Sequence, residues 1–259
     1  PDITHISQLS QDIVEKMKAS WEYDQKITDY IALWQQWEFL INKKEIKNFL
    51  QKITYPIVFY DYETVSSPVP LFDWSTPWQH NVVQYSIHVV FEDWTIDHYE
   101  DIITVDDNDN SRIIDTFINT VSKYEWSFIV WYDWFENKRN QELMNMYPQH
   151  KEQLQEINNN TIDLMIPFKN RRYFNRSFQW SSSIKKVLPV VTDLTYDNLD
   201  IQDWWVAAST LYKIAKGSYS QLESQKLTKD LLQYCERDSF AMIKIREFLK
   251  KLVAKVQVF

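Results

Sequence analysis

Asp61 and Glu63 stand two positions apart in Ile57-Val-Phe-Tyr-Asp61-Tyr-Glu63-Thr64, an apolar run rich in β-branched and aromatic residues. Such a run predicts a buried strand, and alternation along a strand puts both carboxylates on one face. Near the other end, Tyr234 and Asp238 stand four apart in a helical pattern from Thr228 to Met242, so they too share a face. Carboxylates that converge without His or Cys suit hard divalent ions, Mg²⁺ or Mn²⁺. Two such ions about 3.5–4 Å apart are the arrangement that hydrolyses phosphodiesters. Taken singly, each pair has a plainer explanation: a strand acid capping a turn, or helical acids facing water. The combination carries the metal reading.

Asp-x-Glu on a first strand, an acid opening a middle helix and Tyr-x3-Asp on a late helix resemble the DEDDy-type 3′–5′ exonucleases of the ribonuclease-H-like superfamily. Longer stretches resemble domain of unknown function 2779. They are Tyr55-Pro-Ile-Val-Phe-Tyr-Asp-Tyr-Glu-Thr-Val65, Gln84-Tyr-Ser-Ile-His88, Ile184-Lys-Lys-Val-Leu-Pro189, Ile201-Gln-Asp203 and Tyr234-Cys-Glu-Arg-Asp-Ser-Phe-Ala-Met242. The resemblance runs from about residue 51 to about residue 247. It implies an α/β, ribonuclease-H-like layered fold, a central mixed sheet flanked by helices. It also implies metal-dependent exonuclease-type hydrolysis of single-stranded DNA or RNA with two Mg²⁺ or Mn²⁺ ions.

On that resemblance Asp61 would bridge both ions, while Glu63 and Asp238 complete the ion that activates water. Tyr234 would orient or deprotonate that water, and Glu136 would hold the second ion. The DEDD pattern has an aromatic followed by Asp where this chain has Phe135-Glu136, so Glu136 is a departure and Asp133 the fallback ligand. Asp163 falls where related exonucleases carry an acid after a strand, and is expected to support the site or the local fold more than to bind metal. Two other classes stay open. One is a nuclease-fold module that binds nucleic acid with weak or no catalysis. The other is a structural domain of a larger protein.

Between Leu164 and Thr192 there are no acids, but there are Lys169, Arg171, Arg172, Arg176, Lys185 and Lys186, interleaved with Phe168, Tyr173, Phe174 and Phe178. Cations for phosphates and aromatic faces for bases are what a single-strand groove needs. A solvated loop with buried aromatic anchors fits the same residues. The net charge of −8 argues against a broad basic surface for duplex DNA. Asp106-Asp-Asn-Asp-Asn110 is acidic, yet it lacks the glycine and distal glutamate of a calcium loop and reads as a helix cap.

These groups need a scaffold, and 259 residues suffice for one full core plus an accessory segment. Ile13, Met17, Ile27, Tyr30, Ile31, Leu33, Ile46, Phe49 and Leu50 recur at helical spacing, so residues 1–50 are expected as a helical segment and 51–259 as the catalytic-type domain. Strands are expected at Val82–Phe91, Ile96–Ile102 and Ser127–Tyr132, and helices from about Ser111, Asp133, Val206 and Thr228. Pro1 in place of an initiator Met suggests a fragment or processed product, with further domains of the same longer chain as partners. Neither a membrane-spanning run nor an export signal is evident, so a cytoplasmic setting is expected. One cysteine, Cys235, excludes an internal disulfide and a cysteine zinc cluster.

The composition is odd: one glycine and twelve tryptophans. Average usage would give on the order of 18 glycines. Trp74, Trp94, Trp126, Trp180, Trp204 and Trp205 follow or adjoin turn-type residues where glycine is the common choice. We read Trp74, Trp94, Trp180, Trp204 and Trp205 as UGA codons of a lineage that decodes UGA as glycine, with Trp78 and Trp131 genuine. The codons decide it: UGG at those five positions ends the idea.

Overall fold

The computed structural model describes residues 39–73, 75–124 and 127–254. The helical expectation for residues 1–38, and the turns at Trp74 and Trp126, lie outside the described residues. Within the described part, Phe39–Ile41 forms a strand (β1), and helix α1 spans Lys43–Leu50. The helical reading of 1–50 thus holds at its end but fails at β1, which pairs with β7, Tyr173–Asn175. Ile46 and Phe49 of α1 are buried in the main core, so α1 packs as part of the domain.

Strands β2 (Ile57–Val65), β3 (Asn81–Val90), β4 (Ile96–Ile102), β5 (Ser127–Val130) and β6 (Thr161–Asp163) build one sheet in the order β4-β3-β2-β5-β6. The first three are antiparallel neighbours, and β5 and β6 run parallel to β2. The parallel strands are reached through helices, as parallel connections require. These are α2 (Ser111–Val121), then α3 (Asp133–Met146) with α4 (Lys151–Asn159). The asparagines at 158–160 close α4. After β6 come the short α5 (Ile166–Lys169), β7, α6 (Ile184–Val191), α7 (Trp204–Ala215) and the long α8 (Gln221–Ala254).

Alternation along β2 divides the core. Val58, Tyr60 and Tyr62 face α2, where Phe117 meets Tyr60, Tyr62 and Tyr85 with ring centroids 4.9–5.5 Å apart. Ile57 and Phe59 face the opposite layer of α1, α6, α7 and α8. Burying each such side chain contributes about 1.5–3 kcal/mol, which fixes the register. A one-residue slip would send Asp61 and Glu63 into the Phe117 layer. Among the described residues, no helix is long and apolar enough to cross a membrane.

Backbone angles bear on the tryptophans. Trp78, Trp94 and Trp180 lie in the left-handed region, at φ 64, 70 and 67, as does the single glycine, Gly217, at φ 63. Trp94 closes the β3–β4 hairpin, its N–H donating to the Phe91 carbonyl at 3.0 Å. Trp78, which the sequence reading takes as genuine, shares this angle. The turn argument fails at Trp204 and Trp205. They occupy the first turn of α7, where Asp203 caps the helix by accepting from the Trp205 N–H, and no left-handed angle calls for glycine. A Cβ in the left-handed region costs about 1–2 kcal/mol, against roughly 0.5–1 kcal/mol for glycine's extra freedom when unfolded. Trp78 is 64% exposed, so Trp78→Gly is expected to melt about 2 °C higher in calorimetry. Trp131→Gly should melt lower, because Trp131 packs on Phe168 and donates its Nε1–H to the Ser182 carbonyl at 3.1 Å.

Candidate metal centre

Asp61 and Glu63 point from β2 toward α8, and the neighbouring strand explains why α8 docks there. On β3, Gln84, Ser86 and His88 lie opposite Glu63, Asp61 and Phe59. Gln84 donates from Nε2 to the Leu231 carbonyl at 2.8 Å. The Ser86 hydroxyl and His88 Nδ1 each lie 2.8 Å from Ser239 Oγ. This buried polar ladder seats α8 in one register, with Tyr234, Cys235 and Asp238 over the β2 acids.

Asp61, Glu63, Glu136, Tyr234 and Asp238 all line one cleft of about 740 Å³. It opens past the carboxyl ends of β2 and β5, where α/β sheets commonly bind ligands. Ligand atoms of Asp61, Glu63 and Cys235 lie within 4.8 Å of one another. Glu136 comes from the first turn of α3 and is buried, and among the described residues its Oε2 has no hydrogen-bond partner. Arg139 on the same helix is engaged with Glu142, at 2.8 and 2.9 Å, so it does not neutralise Glu136.

The electrostatics follow from this crowding. Burial, and then the Asp238 charge, holds the Asp61 carboxyl well above the usual carboxylate range. Burial and Asp61 do the same to Glu63 and to Glu136. Burial pushes Asp238 up to about 6 despite the opposing pull of the Tyr196 hydrogen bond and of Lys185. Like charges this close disfavour joint ionisation unless a cation joins them. Burial, reinforced by Asp238 and Glu63, also keeps the Tyr234 hydroxyl protonated. Tyr234 is thus a hydrogen-bond donor in this site, which favours orienting a water over removing its proton.

Asp163 and Asp133 have different places. Asp163 Oδ1 accepts from the Tyr132 N–H at 3.0 Å and the Met165 N–H at 2.8 Å. Tyr132 sits at φ 86 between β5 and α3, so Asp163 holds the strained turn that delivers Glu136. Asp133 opens α3 and adds to the negative charge felt by Glu136, without lining the cleft.

The basic segment divides. Lys185 enters the cleft, where it lies 4.9 Å over the Tyr234 ring and donates to the Gln202 carbonyl at 2.7 Å. Lys169 sits at the rim, 5.4 Å over the Tyr132 ring. Arg172 pairs with Glu45 of α1 at 3.1 Å, and Lys186 bonds Gln179 at 2.9 Å. Arg171 lines a separate small pocket with Lys169, and Arg176 sits in the turn after β7. Neither Arg172, Lys186 nor Arg176 lines the acidic cleft. Phe168, Tyr173, Phe174 and Phe178 are buried, and Phe168, Tyr173 and Phe178 pack edge to face. They are anchors of this segment, so the alternative reading of its aromatics holds. The aromatic wall of the cleft comes from Trp131, Tyr132, Phe135 and Trp204 instead.

Two site residues gave no signal in sequence. Tyr196, in the irregular stretch between α6 and α7, donates its hydroxyl to Asp238 Oδ1 and fixes that carboxylate. Cys235 lies 3.8 Å from Asp61 Oδ2, its thiol kept protonated by burial and by Asp61. Neither belongs to a periodic pattern that points at the acids.

Residues 58–183 match the family described as a domain of unknown function, DUF2779. That span is shorter than the resemblance read from residues 51–247, and it ends before Tyr234 and Asp238. The chain is 28% identical to the uncharacterized protein MG366 of Mycoplasma genitalium, over 98% of this chain and 41% of the relative. It is 26% identical to the MG366 homolog of Mycoplasma pneumoniae, over 95% of this chain and 40% of that protein. The uncharacterized protein UU173 of Ureaplasma parvum is 25% identical over 78% of this chain and 32% of its own length. The chain therefore spans about two fifths or less of the curated relatives it matches. No solved structure matches it.

Proposed function

We propose that this chain is a metal-dependent phosphodiesterase of the 3′–5′ exonuclease type, acting on single-stranded DNA or RNA. The observation that carries the proposal is the cleft itself. Four buried or half-buried carboxylates line it, Asp61 and Glu63 side by side, and one of the four, Glu136, has an oxygen with no hydrogen-bond partner among the described residues. An all-carboxylate donor set of this kind fits Mg²⁺ or Mn²⁺. Asp61, Glu63, Asp238 and Glu136 would hold two such ions, which when bound activate water and offset charge on the phosphate. Three antiparallel strands extended by two parallel ones, with helices on both faces, support a ribonuclease-H-like reading of the fold. The direction of attack rests on the resemblance to DEDDy exonucleases. The lone buried thiol is in keeping with a cytoplasmic setting.

The chain's own residues have distinct tasks in this reading. Tyr234 donates its hydroxyl hydrogen to the attacking water or a phosphate oxygen. Tyr196 keeps Asp238 from rotating. Lys185 meets the phosphate, and the wall of Trp131, Tyr132 and Phe135 stacks on the terminal bases.

The test is a single-stranded oligonucleotide, DNA or RNA, labelled at its 5′ end and incubated with Mn²⁺ or with chelator. Stepwise shortening from the 3′ end that chelator stops is expected. Tight binding without shortening would instead favour the nucleic-acid-binding module, with Glu136 as the reason. Lys185→Ala should lower the slope of log affinity against log salt by about 0.7, one phosphate contact on a single strand. Arg172→Ala should leave that slope unchanged, because Glu45 already holds its guanidinium.

A further inference from the structure

We propose that His88, His98 and Glu236, with Glu100 beside them, form a second cation site, one for a transition metal of the zinc class. It is separate from the proposed phosphodiesterase centre, since none of the four lines the acidic cleft. His88 on β3 and His98 on β4 are direct register partners, so both rings rise on the same face, and they stack at 4.4 Å. Glu236 descends from α8 onto that face. Ligand atoms of His88, His98 and Glu236 all lie within 4.8 Å of one another. Glu100, two residues along β4, brings a second carboxylate to 3.7 Å from His98 Nε2.

The donor chemistry differs from that of the cleft. Two imidazoles with one or two carboxylates select zinc, iron or cobalt over magnesium, which prefers oxygen alone. The rings also have the hydrogen-bonded backing that metal-binding histidines usually have. Ser239 Oγ lies 2.8 Å from His88 Nδ1, and Ser86 Oγ lies 3.1 Å from His98 Nε2. His98 is exposed on the edge strand β4, which leaves the site open to an entering ion.

A site of this kind would tie the edge strand to α8, the helix that carries Tyr234 and Asp238. The competing explanation is a polar network that only seats α8 and binds nothing. Titration of the full chain with Zn²⁺ or Co²⁺ separates the two, using an Asp61→Asn background to weaken the acidic cleft. One equivalent is expected to bind, with Co²⁺ giving a visible ligand-field band. His98→Ala and Glu236→Gln, both away from the deep core, should each weaken binding on the order of tenfold or more. Their far-ultraviolet circular dichroism should match the parent. Failure of the parent to bind Zn²⁺, or affinity unchanged in folded His98→Ala, would overturn the proposal. Neither result would bear on Mn²⁺-dependent hydrolysis at Asp61.

Discussion

Replacing Asp61 by Asn is expected to lower Mn²⁺-dependent hydrolysis on the order of 10³-fold or more, while raising the melting temperature of the metal-free chain near pH 7.5. The first effect follows because Asp61 is the carboxylate that links the others: its charge raises Glu63 and Glu136, and Asp238 raises it in turn. Losing one preorganised electrostatic group in an active site typically costs 10²–10³-fold, and a group shared by two ions should cost more. The second effect has the opposite sign because the same charge is unfavourable when no cation is bound. Asn keeps the shape and removes the repulsion. Steady-state rates and calorimetry on one preparation check both. A variant that loses activity and also melts lower would point to damaged folding, and full activity would remove Asp61 from the site. Tyr234→Phe is a milder companion, expected to cost on the order of 10²-fold with metal affinity kept.

The metal-free chain should also lose stability as pH rises from 5 to 8, and divalent ions should restore it only at the upper end. Asp61, Glu63, Glu136 and Asp238 all have folded values raised above the ordinary carboxylate value near 4. A carboxyl raised on folding contributes stability that is complete below its unfolded value and is lost as pH climbs through its folded value. For Asp238 that point is about 6. The cluster therefore favours the folded state at pH 5 and opposes it at pH 8. Mn²⁺ at about 100 times its dissociation constant adds roughly 2.7 kcal/mol, or on the order of 5–10 °C for a domain of this size. At pH 5 protons occupy the carboxylates and the shift should nearly vanish. Melting curves with and without Mn²⁺ across that range test this, with Asp61→Asn flattening the trend. An equal melting temperature with and without Mn²⁺ at pH 7.5 would count against a competent centre.

Sequence alone located Asp61 and Glu63 on one strand face and Tyr234 and Asp238 on one helix face, because periods of 2 and 3.6 are local properties of the backbone. It also placed β4 at Ile96–Ile102 and the starts of α2 and α3. What it left open was decided by contacts between segments far apart in the chain. The ladder of Gln84, Ser86 and His88 seats α8, so that Asp238 meets Asp61 across 177 positions of sequence. Tyr196 reaches Asp238 from an irregular stretch that no period announces. Asp163, legible only as an acid after a strand, proved to hold the left-handed turn at Tyr132 that aims Glu136. The basic segment shows the limit most plainly. Its charges and aromatics alternate in sequence, but burial sent the rings into the core and left Lys185 to enter the cleft. Which side of a segment faces a core is set by the partner that covers it, and that partner is known only once the chain is folded.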